Sequence, residues 1–171
     1  MHERGHFRVS VTKDDLVFAS AHFITFAGHR CEGLHGHNYR ARVTIDGELD
    51  EESWLVFDFI ELKRIMRDLC AQIDHVVLLP LENPRIHVTP GEETVAVSVD
   101  GKPRYVFPRR DCALLPIPNT SVEMLARLLA DRLRAALDAA GPHRLTAIEM
   151  EVEENVGQAA VYRVMLSEDV R

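Results

Sequence analysis

A strict alternation that begins at His35 constrains the chain more than any other pattern in it. The side chains that share one face of this predicted strand are His35, His37, Tyr39, Ala41, Val43 and Ile45. The other face carries Asn38, Arg40, Arg42 and Thr44. A period of two is typical of a strand with one buried face. The fold must therefore bury a long strand that opens with two imidazoles, and Asp46-Gly47 predicts the turn that ends it.

A third histidine ends another apolar strand face. Within residues 16–23 the alternating side chains are Leu16, Phe18, Ser20 and His22. A lone histidine on such a face is usually a satisfied core residue, but three histidines, two of them at strand spacing, favour a metal site. Catalytic zinc takes three protein ligands and keeps one position open. We therefore predict that His22, His35 and His37 bind Zn²⁺.

The loop between these strands carries a candidate reactive thiol. Residues 24–34 contain two glycines and show no clear period. Cys31 within this loop is a fourth zinc ligand, a nucleophile or base beside the metal, or simply a small buried side chain. A functional thiol needs a metal, a histidine or a dipole that favours the thiolate. Neighbouring histidines meet that need better at Cys31 than at Cys70 or Cys112.

Two other positions carry candidate chemistry. Asp74-His75 is either an exposed turn pair or a carboxylate-supported imidazole that shuttles a proton. Glu154 is the one acid on the apolar face of the predicted strand 144–154. Because a buried carboxylate is costly unless paired, Glu154 meets an arginine of this protein or a ligand with a guanidine-like pair of donors. A solvated strand end is the alternative.

The remaining pattern predicts an α+β fold in one domain, residues 1–171. Capping boxes, Asp58 with Glu61 and Thr120 with Glu123, start two amphipathic helices. Strands are predicted before and after these helices along the chain, at residues 6–12, 16–23, from residue 35, 144–154 and 158–167. This order is typical of helices packed on an antiparallel sheet. Residues 82–117 are predicted to be an insertion, with strands at 94–99 and 104–107 in a hairpin around Asp100-Gly101.

Composition argues against several classes of function. The formal net charge is −7, which argues against a broad nucleic-acid or anionic-membrane surface. No apolar run approaches the ~20 residues that span a bilayer, and no secretory signal follows Met1. Three cysteines without a pairing pattern favour reduced thiols and a cytoplasmic location. A small anionic ligand in a local basic pocket remains compatible with these values.

Seven short motifs follow one another along the chain. They are Phe18-Ala19-Ser20-Ala21-His22, Cys31-x-x-x-His35-Gly36-His37-Asn38-Tyr39, Asp58-Phe59-x-x-Leu62-Lys63, Ile73-Asp74-His75, Asn119-Thr120-Ser121-Val122-Glu123-x-Leu125-Ala126, Val152-Glu153-Glu154 and Val161-Tyr162-Arg163. As an ordered set they resemble the 6-pyruvoyltetrahydropterin synthase / 6-carboxytetrahydropterin synthase family. The resemblance spans nearly the whole chain apart from residues 82–117.

This resemblance implies the tunnelling fold (T-fold), a four-stranded antiparallel sheet with two helices on one face. It implies a homo-oligomer, a hexamer of two stacked trimers with active sites between subunits. It further implies zinc on the three histidines and 7,8-dihydroneopterin triphosphate as the small-molecule substrate. Glu154 matches the glutamate that anchors the pterin ring, and Thr120 and Ser121 match a substrate-binding segment.

The implied reaction is that of a lyase. Cys31, as thiolate, abstracts or delivers a proton, while Asp74 and His75 act as proton relay and thiol activator, across a subunit boundary. Triphosphate leaves by elimination. In the queuosine (deazapurine) branch, side-chain cleavage also releases acetaldehyde and leaves a 6-carboxy group on the tetrahydropterin.

Two spacings point to different branches of the family. The three-residue gap from Cys31 to His35 resembles the bacterial 6-carboxy branch. Glu32 creates Glu-x-x-His-Gly-His, which resembles the folate branch, where glutamate is the base and 6-hydroxymethyl-7,8-dihydropterin the product. Because the chain carries both spacings, either reaction or both are open at this point. The resemblance favours the 6-carboxytetrahydropterin synthase reaction, or one with a 6-pyruvoyl-type product. The folate-branch reaction and a non-catalytic, zinc-stabilised, ring-forming pterin-binding protein are the alternatives.

Overall fold

The computed structural model describes residues 6–28 and 30–166, with only the backbone of residues 13–15. Within this part of the chain the elements are β1 (Phe7–His22), β2 (His35–Gly47), α1 (Phe59–Ala71), β3 (Val76–Pro80), β4 (Ile86–Pro90), β5 (Thr94–Val99), β6 (Lys102–Pro108), a 3₁₀ turn (Arg109–Asp111), β7 (Cys112–Leu115), α2 (Val122–Ala140), β8 (Leu145–Asn155) and β9 (Gln158–Met165). Residues 1–5, where no secretory signal was predicted, lie outside the described part of the chain. Residue 167, the predicted end of the last strand, lies outside it as well.

The main sheet has six strands in the order β7-β3-β1-β2-β8-β9. Its antiparallel part, β1-β2-β8-β9, corresponds to the predicted four strands. The prediction of a four-stranded sheet was nevertheless wrong, because β3 adds to β1 and β7 adds to β3, both in parallel. Short apolar runs such as β3 and β7 carry no period that separates a strand from other buried segments.

The first strand is longer than expected. Residues 6–12 and 16–23 were predicted as two strands around a turn or bulge, whereas β1 is continuous and shifts its register against β2 between Thr12 and Val17. The bulge restores the alternation, so that Leu16, Phe18, Ser20 and His22 all face the core side. This register brings His22 directly opposite His35 on β2.

Both helices pack with the apolar face of the main sheet around one core. Asp58 caps α1 by accepting a hydrogen bond from the Ile60 N–H, but Glu61 pairs with Arg64 instead of completing the capping box. The second capping-box prediction was wrong. Ser121 is the N-cap of α2, while Thr120 is fully buried. Among the described residues, no helix is long and apolar enough to cross a bilayer.

Residues 82–117 form more than the predicted hairpin. The hairpin itself is confirmed as β5 and β6, and positive φ angles at Asp100 and Gly101 suit its type I′ turn. β4 pairs with β5 to complete a separate three-stranded sheet, which we call the inserted sheet. Its apolar residues form a second core with Leu79 of β3 and with Phe23, which directly follows β1, so the two sheets are joined beside His22.

Candidate metal centre and active site

Three histidines converge at one end of the main sheet. His22 closes β1, His35 opens β2, and His37 lies two residues further along the same face. One ring nitrogen from each lies within 4.8 Å of the others, and the Nε2 atoms of His22 and His35 are 3.2 Å apart. Strand pairing therefore brings together the three residues that the sequence predicted as ligands.

The outer nitrogens of these rings are already engaged. Each Nδ1 faces a protein oxygen: Thr120 O at 2.8 Å from His22, Gly33 O at 2.9 Å from His35, and Asn155 Oδ1 at 3.4 Å from His37. A ring that donates from Nδ1 keeps Nε2 as the acceptor. The contacts therefore suit three neutral imidazoles that present their Nε2 lone pairs to one another.

The electrostatics at His22 favour this neutral form. Its side chain is almost completely buried, and burial lowers the pKa of its imidazole, to which the neighbouring His35 and His37 add. The Thr120 carbonyl and Glu154 oppose this shift without reversing it. A neutral imidazole is the form that ligates a metal.

The donor set fits zinc. Nitrogens bound to one tetrahedral zinc at about 2.0–2.1 Å lie roughly 3.3 Å apart. The 3.2 Å between the Nε2 atoms of His22 and His35 matches that separation. Three histidines with hydrogen-bonded Nδ1 atoms are also the arrangement expected when a fourth position stays open for water or substrate.

Glu154 borders the histidines directly. Its Oε1 lies 3.4 Å from His22 Nε2 and 3.5 Å from His37 Nε2, and its side chain is about one-fifth exposed. Within the described residues Glu154 does not contact an arginine, which was one of the partners that the sequence predicted for it. The Tyr39 hydroxyl is buried beside it, and burial together with the neighbouring Glu154 carboxylate raises the pKa of Tyr39.

Cys31 and Glu32 lie on the loop that leads to His35. The Glu32 Oε2 atom is 3.8 Å from His35 Nε2, so this carboxylate reaches the histidine centre. The Cys31 side chain is partly exposed, and its thiol faces the Glu32 carbonyl at 3.7 Å. Cys70 and Cys112 are buried. Both candidate bases are therefore accessible, and the two other cysteines are not.

The side chains of Asp74 and His75 are in direct contact, with 2.8 Å between Oδ2 and Nδ1. Asp74 Oδ1 accepts a hydrogen bond from the Ala19 N–H, and the His75 N–H donates to the Ala19 carbonyl. Burial opposes ionisation of Asp74, but hydrogen bonds from Ala19 and His75 outweigh it and lower the pKa of the carboxyl. His75 has a φ of 56°, and its side chain is 83% exposed. The pair is thus fixed to β1 and points outward.

Thr120 and Ser121, the predicted substrate-binding residues, lie at the start of α2. The Thr120 hydroxyl donates to Phe23 O, and its carbonyl faces His22, so the residue supports a predicted metal ligand from behind. Ser121 is partly exposed at the start of α2, where its side chain makes no capping hydrogen bond. Sequence reasoning missed the supporting oxygens of Gly33 and Asn155, because neither residue type nor spacing marks a carbonyl or amide that orients a ring.

Known proteins resemble the chain over most of its length. The sequence profile described as 6-pyruvoyl tetrahydropterin synthase matches residues 10–164. A Methanocaldococcus jannaschii protein provisionally named 6-carboxy-5,6,7,8-tetrahydropterin synthase is 34% identical over 151 residues, which cover 88% of this chain and 91% of the relative.

Solved structures give the same result. Plasmodium vivax 6-pyruvoyltetrahydropterin synthase has a TM-score of 0.87 and 27% identity, over 95% of this chain and all of that one. A variant of that protein, described as a catalytic-residue mutant in which a glutamate is replaced by alanine, has a TM-score of 0.86 and 27% identity over the same shares. Profile, relative and structures agree with one another, and the chain belongs to the 6-pyruvoyl tetrahydropterin synthase family.

Proposed function

We propose that the protein is a zinc-dependent lyase that converts 7,8-dihydroneopterin triphosphate into 6-carboxy-5,6,7,8-tetrahydropterin. The convergence of His22, His35 and His37, with Glu154 against two of them, is the observation that carries this proposal. The name of the Methanocaldococcus jannaschii relative supports the 6-carboxy product.

The three Nε2 atoms would hold the metal ion. Zinc bound there supplies Lewis acidity to side-chain oxygens of the substrate, which makes adjacent C–H and O–H bonds more acidic. Gly33, Thr120 and Asn155 keep the rings oriented for this role.

Glu154 would hold the pterin ring. A carboxylate accepts two parallel hydrogen bonds from a ring N–H and an exocyclic amine, as it does from a guanidinium. Its partial exposure leaves it open to a ligand, and its contact with His22 and His37 would keep a ring bound there close to the histidines. The substrate's side chain would then lie between the histidines and the loop of Cys31 and Glu32.

We propose Cys31 as the group that moves the substrate proton before triphosphate leaves. A specific observation favours a second candidate, however. In the Plasmodium vivax neighbour the residue described as catalytic is a glutamate. Glu32 lies within 3.8 Å of His35 and is suited to the same role. With Glu32 as base the expected product is 6-hydroxymethyl-7,8-dihydropterin.

Asp74 and His75 would act as a proton relay in a neighbouring subunit's site. Within one chain their hydrogen bonds run to each other and to Ala19, and the imidazole projects into solvent. An ordered, outward-pointing dyad is suited to complete a site across an interface. We therefore propose a ring-shaped homo-oligomer, a hexamer of two stacked trimers.

Product analysis tests these assignments. The zinc-loaded protein is incubated with 7,8-dihydroneopterin triphosphate, and the pterin is identified by mass spectrometry. A 6-carboxy product supports the main proposal, a 6-hydroxymethyl product supports the folate-branch reaction, and zinc binding without turnover supports a pterin-binding protein.

Paired variants then assign the base. Cys31→Ala and Glu32→Ala are assayed beside Cys112→Ala and Glu52→Ala, which change a buried thiol and an exposed carboxylate elsewhere. A base variant is expected to lose ~100-fold or more in kcat, and the controls to retain activity. Full activity in both base variants would refute both assignments.

A further inference from the structure

The inserted sheet holds the far end of the Cys31 loop. Nη2 of Arg104, on β6, donates to the Glu32 carbonyl at 2.7 Å. The next residue, Tyr105, accepts a hydrogen bond from the Leu34 N–H through its hydroxyl, at 3.2 Å. Two consecutive residues of the insertion thus bind the backbone on either side of Gly33, immediately before His35.

The same insertion also binds the beginning of the loop. The Asn83 amide donates to the Thr25 hydroxyl at 3.1 Å. Arg85 forms a bidentate ion pair with Asp100 in the hairpin turn. It also donates a hydrogen bond to the Phe26 carbonyl at 3.4 Å. The loop that carries both candidate bases is therefore held at each end by residues between 82 and 117.

Arg104 makes the most specific of these contacts. Its guanidinium carbon lies 6.0 Å from the ring centre of the buried Phe23 and 5.3 Å from that of Tyr105. Burial opposes its charge, but Tyr105 and the Cys31 sulfur outweigh that effect and raise the pKa of Arg104. A planar cation that donates a hydrogen bond while it stacks on rings keeps a fixed direction, which a lysine ammonium does not.

We propose that Arg104 is a positioning residue for the loop that carries Cys31 and Glu32: together with Tyr105 it fixes the backbone on either side of Gly33. The inserted sheet is then the scaffold that keeps both contacts in place. The inference rests on the proposed function only in that Cys31 or Glu32 is the base. Its physical content, the order of the loop before His35, is measurable without substrate.

The test is amide hydrogen exchange in the peptide that contains Glu32, Gly33 and Leu34, measured by mass spectrometry in metal-free protein. A hydrogen bond from a charged donor is among the stronger ones, and its loss allows the loop to open more often. Arg104→Gln should therefore speed exchange in this peptide ~10-fold. Arg64→Gln, which removes an exposed ion-paired arginine from α1, should leave the exchange rate unchanged.

Further variants separate the specific contacts from the fold. Arg104→Lys keeps the charge but loses the planar group that stacks on Phe23 and Tyr105, so exchange should stay faster than in the wild type and kcat for the pterin reaction should stay reduced. Tyr105→Phe removes only the hydroxyl that accepts from Leu34, and should lower kcat with little change in KM. Unchanged exchange in Arg104→Gln, or an equal increase in Arg64→Gln, would overturn the inference. Faster exchange in a protein that turns over no pterin would overturn the proposed function alone.

Discussion

The histidine centre and the Cys31 loop lie side by side but are built in different ways. His22, His35 and His37 are placed by the pairing of β1 with β2, so their approach follows from strand register. Cys31 and Glu32 belong to an irregular segment whose ends are bound by Arg104, Tyr105 and other residues of the insertion, 58 to 72 positions later in the chain. The candidate metal ligands depend on the main sheet, and the candidate bases depend on the insertion as well.

This difference matters because the two groups have different tasks. Metal ligands must hold fixed distances to one ion, and paired strands provide the required rigidity. A base must approach a substrate that enters and leaves, for which a loop with supported ends is suited. The two regions should therefore respond separately to substitution.

Loss of a metal ligand should have the largest effect. His35→Ala removes one of three nitrogens and should abolish stoichiometric zinc binding. Because Lewis-acid stabilisation is worth several kcal/mol, activity should fall ~1000-fold or more. The measurements are zinc content after dialysis and kcat/KM. His87→Ala, an exposed histidine on β4, is the control. Stoichiometric zinc in His35→Ala would contradict the assignment.

Truncation in the second core should separate the two regions. Ile86 is 1% exposed within the inserted sheet, and Ile86→Ala should destabilise that sheet by about 2–5 kcal/mol. Hydrogen exchange should increase in residues 25–34 while zinc affinity is retained. Ile148 lies in the main core and is 0% exposed, so Ile148→Ala should weaken both the histidine centre and the Cys31 loop. An equal loss of zinc affinity in the two variants would show that the regions are not independent.

The sequence predicted the first region well because its determinants are local. Alternation along β2 placed His35 and His37 on one face, and the same parity placed His22 at the end of its strand. Glu154 was found in the same way, as the one acid on an apolar face. Its position against His22 and His37 could not be predicted, because β8 reaches them by pairing with β2 across a hundred residues.

The second region was less predictable because its contacts are remote. The hairpin of β5 and β6 is marked by Asp100-Gly101, but β4 and the extra main-sheet strands β3 and β7 have no comparable turn signal. Nothing in the residues around Arg104 indicates that it binds the Glu32 carbonyl. The same limit applies to Thr120. Its residue type predicted a helix cap, but the residue is buried: its hydroxyl donates to the Phe23 carbonyl and its own carbonyl faces the His22 ring.

Removal of a supporting contact should have a smaller effect than removal of a ligand. Asn155→Ala deletes the amide oxygen that faces His37 Nδ1. Such changes typically lower metal affinity 10–100-fold, and the 3.4 Å separation favours the lower end, about 10-fold. Zinc competition titration measures it. Asn38→Ala, on the same strand as His37 but on its other face, is the control and should have no effect.

The smallest expected effect concerns Asp74, which the main sheet fixes as it fixes the histidines. Asp74→Asn preserves an oxygen that accepts from Ala19 but removes the charge beside His75. Because this pair is largely exposed, the loss in unfolding free energy near neutral pH should be under ~1 kcal/mol.

The pH dependence of that loss has a definite sign. The pKa of Asp74 is lowered in the folded protein, so its ionised form stabilises the fold above the ordinary carboxyl pKa, near 3.9. That contribution disappears as the pH falls through the lower, folded pKa. The stability difference between the metal-free wild type and Asp74→Asn, measured by urea unfolding, should therefore shrink from pH 7 toward pH 3. A difference that grows on acidification would mean that Asp74 is held protonated and cannot support His75 as a charged partner.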